Sequence, residues 1–375
     1  MEKGNKKGIA YVSFAAIPNN SSHSIQITKT CEALQSFFNV SLICRDSKKG
    51  DINQKYGIKH KFTLRLQKNN EKGYGILRRL NFFIFAFLAI VEGRYDYLYF
   101  REPLLYPMLE IASLLSNAKL IFENHRTDRG RGIDKIFREM SIKRSVLVVS
   151  ITNALQKEYK HLNENNIVIK CSVDERLFDR CFGKKTDLRK ELELPENKFL
   201  IVYTGSLKEY TGVGDIIELS NNLDSDDICI VIVGGTKKQI DLLRRRVKKN
   251  NVIFKGYVEY GEIAKYQQAA DVLIAPMRRA GPGGSPTKIF EYLFAKRPII
   301  ATDTMTNREE IIPGKTGELY AVGDIMSMKK AVMRLYKDGR LCKEYGERCF
   351  NQARENTFEK KALRISRELS KLNKH

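Results

Sequence analysis

Glu291 follows a run of small residues, Gly281-Pro282-Gly283-Gly284-Ser285-Pro286, with Lys288 between them. The glycines relax the backbone, and Ser285-Pro286 stands where a helix would begin, with proline in its first turn. Such a loop leaves N–H groups unpaired, and the lysine one turn inside the helix adds a positive charge. That combination seats an anion, most simply a phosphate. Glu291, on the same helix, can accept hydrogen bonds from ligand hydroxyls. The same residues also suit an ordinary loop and helix start packed on a sheet, and this stretch alone leaves both readings open.

Three further loops carry comparable chemistry. Pro18-Asn19-Asn20-Ser21-Ser22-His23-Ser24 is small and polar and opens a helix whose N-terminus could hold a phosphate or a sugar. Glu123-Asn124-His125-Arg126 is followed by Arg129 and Arg131 among glycines, and Gly205-Ser206-Leu207-Lys208-Glu209-Tyr210-Thr211-Gly212 follows an apolar run. Taken singly, the first is a helix cap, His125 a satisfied structural histidine and the arginines a solvated face. Each loop, however, comes after a strand-like segment, and open parallel sheets bind ligands beyond their carboxyl strand ends.

Those strands are expected at Gly8 to Phe14, Val40 to Cys44, Tyr95 to Phe100, Lys119 to Glu123 and Ser145 to Ser150, then at Phe199 to Thr204, Ile228 to Val233, Val252 to Lys255, Val272 to Ala275 and Pro298 to Ala301. Helix-period segments such as Ser24 to Phe37 and Leu105 to Leu115 lie between them. Short apolar runs alternating with helices define an α/β protein with parallel sheets. Two such sets imply two Rossmann-like domains, expected over residues 1–172 and 198–350. A polar linker is expected over 173–197, and a final helix over 351–375.

At 375 residues the chain is comfortable for two domains, and 42% hydrophobic with 29% charged residues describes a globular protein. The formal charge of +22 implies an acidic partner such as anionic lipid or a phosphorylated substrate. Residues 1 to 185 hold 32 Lys/Arg against 18 Asp/Glu, so the excess leans toward the first half. No nucleic-acid motif accompanies that charge, and tryptophan is absent, which argues against nucleic acid. Seven scattered cysteines without a CxxC pair suggest reduced thiols and a cytoplasmic setting, and no signal peptide is read at the N-terminus. The run Leu80 to Val91, LNFFIFAFLAIV, is too short to span a bilayer and is expected as a buried helix. The alternative is a helix whose aromatic face dips into a membrane surface, since Arg78 and Arg79 precede it.

FKGYV, YQQAADVLIAPM, SPTKIFEYLFAKRPIIATD and REEIIPGKTGELYAVGD, in that order between Val252 and Asp324, resemble the retaining nucleotide-sugar glycosyltransferases of family 4. Weaker similarity covers YVSFAAIPNNSSHSIQITKTCEAL, FLIVYTGSL and ARENTFEKKA. The resemblance implies a GT-B fold, two Rossmann-like domains with parallel sheets facing a central cleft and a C-terminal helix crossing back. It implies His125 and Glu291 as the catalytic residues, the histidine near the donor sugar and the acid on the nucleotide ribose. Gly205, Ser206, Lys208, Gly256, Tyr257, Val258, Gly284, Ser285, Pro286, Thr287 and Lys288 would line the donor site. Asn20, Ser21, Ser22, His23 and Arg126 would form the acceptor or phosphate side.

The family's first motif glutamate is replaced by Gly283, its usual basic pair by Ser206 and Thr211, and the paired glycines of its first loop by Ser21-Ser22. Lys288 and Lys208 are then the candidates to compensate a leaving diphosphate. The resemblance implies a UDP- or GDP-sugar donor, transfer with retention, and no required metal or other cofactor. With the charge, it implies a lipid-linked saccharide acceptor at an anionic membrane surface, on the inner face of the cytoplasmic membrane, in capsule, O-antigen or exopolysaccharide assembly. The rival is a degenerate GT-B protein that binds sugar nucleotide or scaffolds a complex without transfer.

Overall fold

The computed structural model describes residues 6–68, 75–125, 132–179, 185–278 and 287–373. The chain divides into two units, one holding residues up to Ser172 and from Phe358 onward, the other Val173 to Thr357.

The first unit alternates β1 (Gly8–Ile17), α1 (Ser22–Leu34), β2 (Asn39–Asp46), α2 (Ile52–Tyr56), β3 (Thr63–Gln67), α3 (Gly75–Gly93), β4 (Tyr97–Phe100), α4 (Tyr106–Ser116), β5 (Lys119–Asn124), α5 (Ile133–Arg144), β6 (Leu147–Ser150), α6 (Asn153–Tyr159) and β7 (Asn166–Val168). Its sheet runs β3-β2-β1-β4-β5-β6-β7, parallel throughout. The order reverses between β1 and β4, which makes the loops after those two strands the natural ligand position. One face of the sheet is covered by α3 to α6 through Phe82, Ala86, Leu109 and Ile142.

The second unit opens with α7 (Arg176–Asp179) and α8 (Lys185–Glu191) and continues β8 (Phe199–Thr204), α9 (Val213–Asn222), β9 (Ile228–Val233), α10 (Lys237–Arg244), β10 (Val252–Gly256), α11 (Tyr260–Ala269), β11 (Val272–Ala275), α12 (Thr287–Phe294), β12 (Ile299–Thr302), α13 (Met305–Arg308), β13 (Gly317–Tyr320), α14 (Ile325–Lys337) and α15 (Gly339–Ala353). Its six-stranded sheet runs β10-β9-β8-β11-β12-β13, again parallel, with the reversal between β8 and β11. The chain then returns to the first unit as α16 (Phe358–Leu372), which packs on α1 and seals the other face of the first sheet with Phe358, Ala362, Ile365 and Leu369.

Two boundaries differ from the sequence reading. Residues 173–197 are not a free linker: α7 and α8 pack on α11, and buried Arg189 bonds the carbonyls of Ala269, Glu196 and Lys198 and the Asp271 carboxylate at 2.6 Å. A polar composition concealed one arginine that ties the segment down. The final helix begins at Phe358 rather than at 351, because α15 runs to Ala353 within the second unit.

The run from Leu80 to Val91 is a third correction. It belongs to α3, which is not buried all round: Phe82, Ala86, Ala89 and Ile90 face the sheet, while Ile76, Leu77, Leu80, Ile84, Leu88 and Val91 are exposed. The exposed stripe is aliphatic, not aromatic, because Phe83, Phe85 and Phe87 turn partly into the core.

Candidate active site

In the second unit the site is built on the ends of β8, β9 and β10. Isoleucine- and valine-rich β9 is buried along its whole length and stops at Gly234-Gly235. Gly234 has φ +122, and a Cβ there would lie 2.0 Å from the carbonyl oxygen of Gly205. Gly205, at φ +143, has Lys288 Nζ 3.0 Å from where its own Cβ would stand. The strand ends are thus floored with bare backbone, which lets a ligand approach main-chain groups closely. Gly234→Ala is expected to cost roughly 2–3 kcal/mol in urea unfolding, whereas Gly261→Ala, which meets nothing within 4 Å, should be neutral or better; equal stability of the two variants would disprove the tight approach.

Helix α12 carries Lys288 and Glu291 to this floor and is bolted there by Tyr292, whose hydroxyl accepts from the Thr204 N–H at 2.9 Å. The Lys288 ammonium lies over the Tyr203 ring, 3.9 Å from its centroid. Glu291 is half-buried and accepts from the Gln267 side chain at 3.3 Å, and Gln267 also donates to Thr204 Oγ1 at 3.1 Å. Burial pushes the Glu291 carboxyl up to about 7, with Gln267 and then Lys288 opposing the rise. A carboxylate recessed this way has acceptor capacity to spare for vicinal hydroxyls.

Ser206 and Lys208 are exposed on the loop after β8. Thr211 contributes nothing outward, since its hydroxyl donates to the carbonyls of Ser206, at 3.0 Å, and Lys208, at 2.5 Å. Gly256 ends β10, with exposed Tyr257 and half-buried Val258 beyond it. Thr287 opens α12, while Gly284, Ser285 and Pro286 lie outside the described residues. A cavity of about 420 Å³ lined by Phe199, Asp271 and Arg297 lies at the opposite, amino ends of the strands and so is not part of this site.

In the first unit, Glu123 and His125 emerge two residues apart at the end of β5 and therefore on one side of the strand. Glu123 is sealed in the core, where Lys361 of α16 reaches it at 2.8 Å and the Tyr99 hydroxyl donates to it. Burial alone would raise its carboxyl, but Lys361, His125 and Arg101 outweigh that and hold it well below the usual range. Arg101 Nη2 lies 3.0 Å from His125 Nδ1 and can only donate, so Nδ1 accepts and Nε2–H donates to Glu123 Oε1 at 2.5 Å. Burial and then Arg101 lower the imidazole to about 4 against the pull of Glu123, so it is neutral at physiological pH. With both nitrogens engaged, the ring serves as a fixed neutral surface, not as a proton shuttle.

His125 borders a cavity of about 280 Å³ lined also by His23, Arg101, Glu102, Asp134 and Arg138. Glu102 accepts from the Ser13 hydroxyl at 2.6 Å, and His23 Nε2 lies 3.5 Å from the same carboxylate. Arg101 Nη1 and Glu102 Oε2 are buried without a hydrogen-bond partner among the described residues. Both residues line this cavity, and an unpaired donor and an unpaired acceptor there suit a ligand hydroxyl, which can donate and accept. In the polar loop after β1, Ser21 is a helix cap, accepting from the Ser24 N–H at 3.3 Å, while Asn20 and Ser22 are exposed and His23 reaches the cavity. Arg126, Arg129 and Arg131 lie outside the described residues.

Residues absent from the sequence reading are Arg101, Glu102, Lys361, Gln267 and the pair Gly234-Gly235. The glycine pair directly after ICIVIV was a readable signal, as was the Glu123-x-His125 spacing. Nothing in the sequence marked Gln267 or Lys361.

Two Rossmann-like units, each with its polar groups at the switch point of a parallel sheet, define the GT-B class. Residues 184–354, a little under half of the chain, match the family described as glycosyl transferases group 1, and the two-unit fold is of the GT-B kind. The chain is 23% identical over 238 residues to an uncharacterized glycosyltransferase, MJ1069, of Methanocaldococcus jannaschii, covering 62% of this chain and 59% of that one. It is 25% identical over 174 residues to TuaC of Bacillus subtilis, described as a putative teichuronic acid biosynthesis glycosyltransferase, covering 46% and 42%. The matches therefore span about half the length of these curated relatives. Among solved structures, HepE of Anabaena in complex with UDP and glucose superposes with a TM-score of 0.77 at 15% identity, over 97% of this chain and 100% of that one.

Proposed function

We propose that this protein is a retaining glycosyltransferase that moves a sugar from a UDP- or GDP-sugar to a hydroxyl of a lipid-linked saccharide, at the inner face of the cytoplasmic membrane, in surface-polysaccharide assembly. The observation that carries the reading is Glu291, recessed beside the glycine-floored strand ends with Lys288 one turn away, an acceptor for ribose hydroxyls next to a cation for the diphosphate. The bond from the anomeric carbon to the diphosphate oxygen breaks as the bond to the acceptor oxygen forms on the same face. The acceptor proton passes to the leaving diphosphate. Lys288, Lys208 and loop amides offset the developing charge. No divalent metal is required in this scheme. UDP of the HepE complex and the polysaccharide role in the name of TuaC support the donor and pathway classes.

A panel of UDP-, GDP-, ADP- and CMP-sugars tests this by thermal shift and nucleotide release. One donor is expected to stabilise the protein and to be hydrolysed slowly, unaffected by EDTA; turnover abolished by EDTA would remove the metal-free scheme, and no response to any donor would remove the reading. The second reading, a sugar-nucleotide scaffold, is favoured by Thr211, whose hydroxyl is spent within its own loop where the family carries a cation. Stabilisation without turnover, even with membrane extract supplied as acceptor, would select it.

A further inference from the structure

Helices α3, α4 and α5 lie side by side in one layer over the first sheet, α4 touching both neighbours. Each turns one apolar stripe to the core and a second outward. On α3 the outward stripe is Leu77, Leu80, Ile84, Leu88 and Val91, at the three- and four-residue spacing of a single helix face. Ile111, Leu114 and Leu115 repeat it on α4, and Ile133, Ile136 and Met140 on α5. Together with Ile76, these are twelve of the nineteen exposed large hydrophobic side chains among the described residues, so the exposure is concentrated on one layer rather than scattered.

Charge accompanies the apolar surface. Exposed Arg79, which lies over the Phe14 ring, Arg94 and Lys143 have no ion-pair partner among the described residues, and against these three cations α3 carries one exposed acid, Glu92. A recess of about 480 Å³ between the ends of α3 and α4 is lined by Val91 and Leu115 together with Arg94 and Asp96. No described helix is long and apolar enough to cross a membrane. Broad aliphatic stripes with exposed cations at their margins match a bilayer interface with anionic headgroups. A second copy fits less well, because a two-fold contact through this face would bury the cations against their own counterparts.

We propose that the outward face of α3, α4 and α5 is the surface by which this protein lies on an anionic bilayer. It deepens the proposed function by naming the membrane-contacting face, and rests on that reading for the acceptor alone. Asp134 and Arg138 on α5 line the His125 cavity while Ile133 and Ile136 of the same helix face outward. An acceptor held in the lipid would thereby have its polar end within reach of the cavity.

The test is co-sedimentation of the full chain with vesicles of phosphatidylcholine alone or mixed with phosphatidylglycerol. Wild type is expected to partition about tenfold more to the mixed vesicles at low salt. A variant with Leu80, Leu88, Leu114 and Leu115 each replaced by Asn should lose about tenfold or more, and Arg79→Glu with Arg94→Glu and Lys143→Glu should lose the salt-sensitive part. Unchanged binding by the four-leucine variant, no binding by wild type, or a solution dimer that this variant dissociates would each overturn the proposal. Donor-induced thermal shift, measured on the same proteins without vesicles, separates the two readings. Vesicle binding with no donor response would sink the proposed function and leave this surface standing, and the reverse would sink only this inference.

Discussion

Glu291→Gln is expected to stabilise the ligand-free protein at pH 8, to leave it unchanged at pH 4.5, and to weaken nucleotide-sugar binding by about ten- to hundredfold. The sign follows from the carboxyl's rise from 4.5 to about 7 on folding. Between those values the native state holds a proton that the unfolded chain has released, so stability falls as pH rises through the window. The loss is complete above pH 7 and amounts to at most roughly 3 kcal/mol, reduced by what solvent reaches the half-buried group. Glutamine carries no such penalty. Urea unfolding at the two pH values reads the difference, and identical midpoints at pH 8 would mean that Glu291 ionises without cost. Ligand binding moves oppositely: the wild-type affinity for the donor should climb from pH 6 to pH 8, because only the carboxylate accepts from two hydroxyls without giving up a lone pair to its own proton. A glutamine variant should show no such climb.

Glu123→Gln should be far more damaging to the fold, by about 3–5 kcal/mol, because it strands the Lys361 ammonium in the core without a counter-charge. A drop in melting temperature of about 10 °C is expected for a unit of this size. Adding Lys361→Met should recover most of it, giving a coupling of at least about 2 kcal/mol in a double-mutant cycle. Additive losses would show that water reaches the pair and screens it. Glu123 here acts as a positioning residue, fixing which nitrogen of His125 carries hydrogen, and Lys361 acts through it.

The central strands were legible, and of the four edges only β10 was. β8, β9 and β11 have the residue ranges that their apolar runs imply, since strands covered on both faces read as unbroken hydrophobic stretches. β3, β7 and β13 escaped notice, and all three are sheet edges. Thr63–Gln67 alternates with an arginine, Asn166–Val168 is three residues long, and Gly317–Tyr320 begins with glycine, so none carries a buried-strand signature. In the candidate site, His125 could be named because it follows a strand within a short polar motif, and Glu291 because it follows a glycine-rich loop at a helix start. Glu123 could have been paired with His125 by strand alternation. Lys361 could not, because its partner is 238 residues away and only the return of α16 brings them together. The expectation of a wholly buried α3 failed for a related reason: hydrophobicity reports that a helix is apolar, not how many of its sides have a neighbour.

That return of α16 has a consequence for synthesis. The first unit leaves the ribosome with a gap over α1, where Phe358, Ala362, Ile365 and Leu369 belong, and with Glu123 sealed in beside no ammonium. Both wait until the whole second unit has been translated. The domain that begins first is therefore completed last, and a nascent chain arrested before Phe358 holds a finished second unit joined to an unfinished first one.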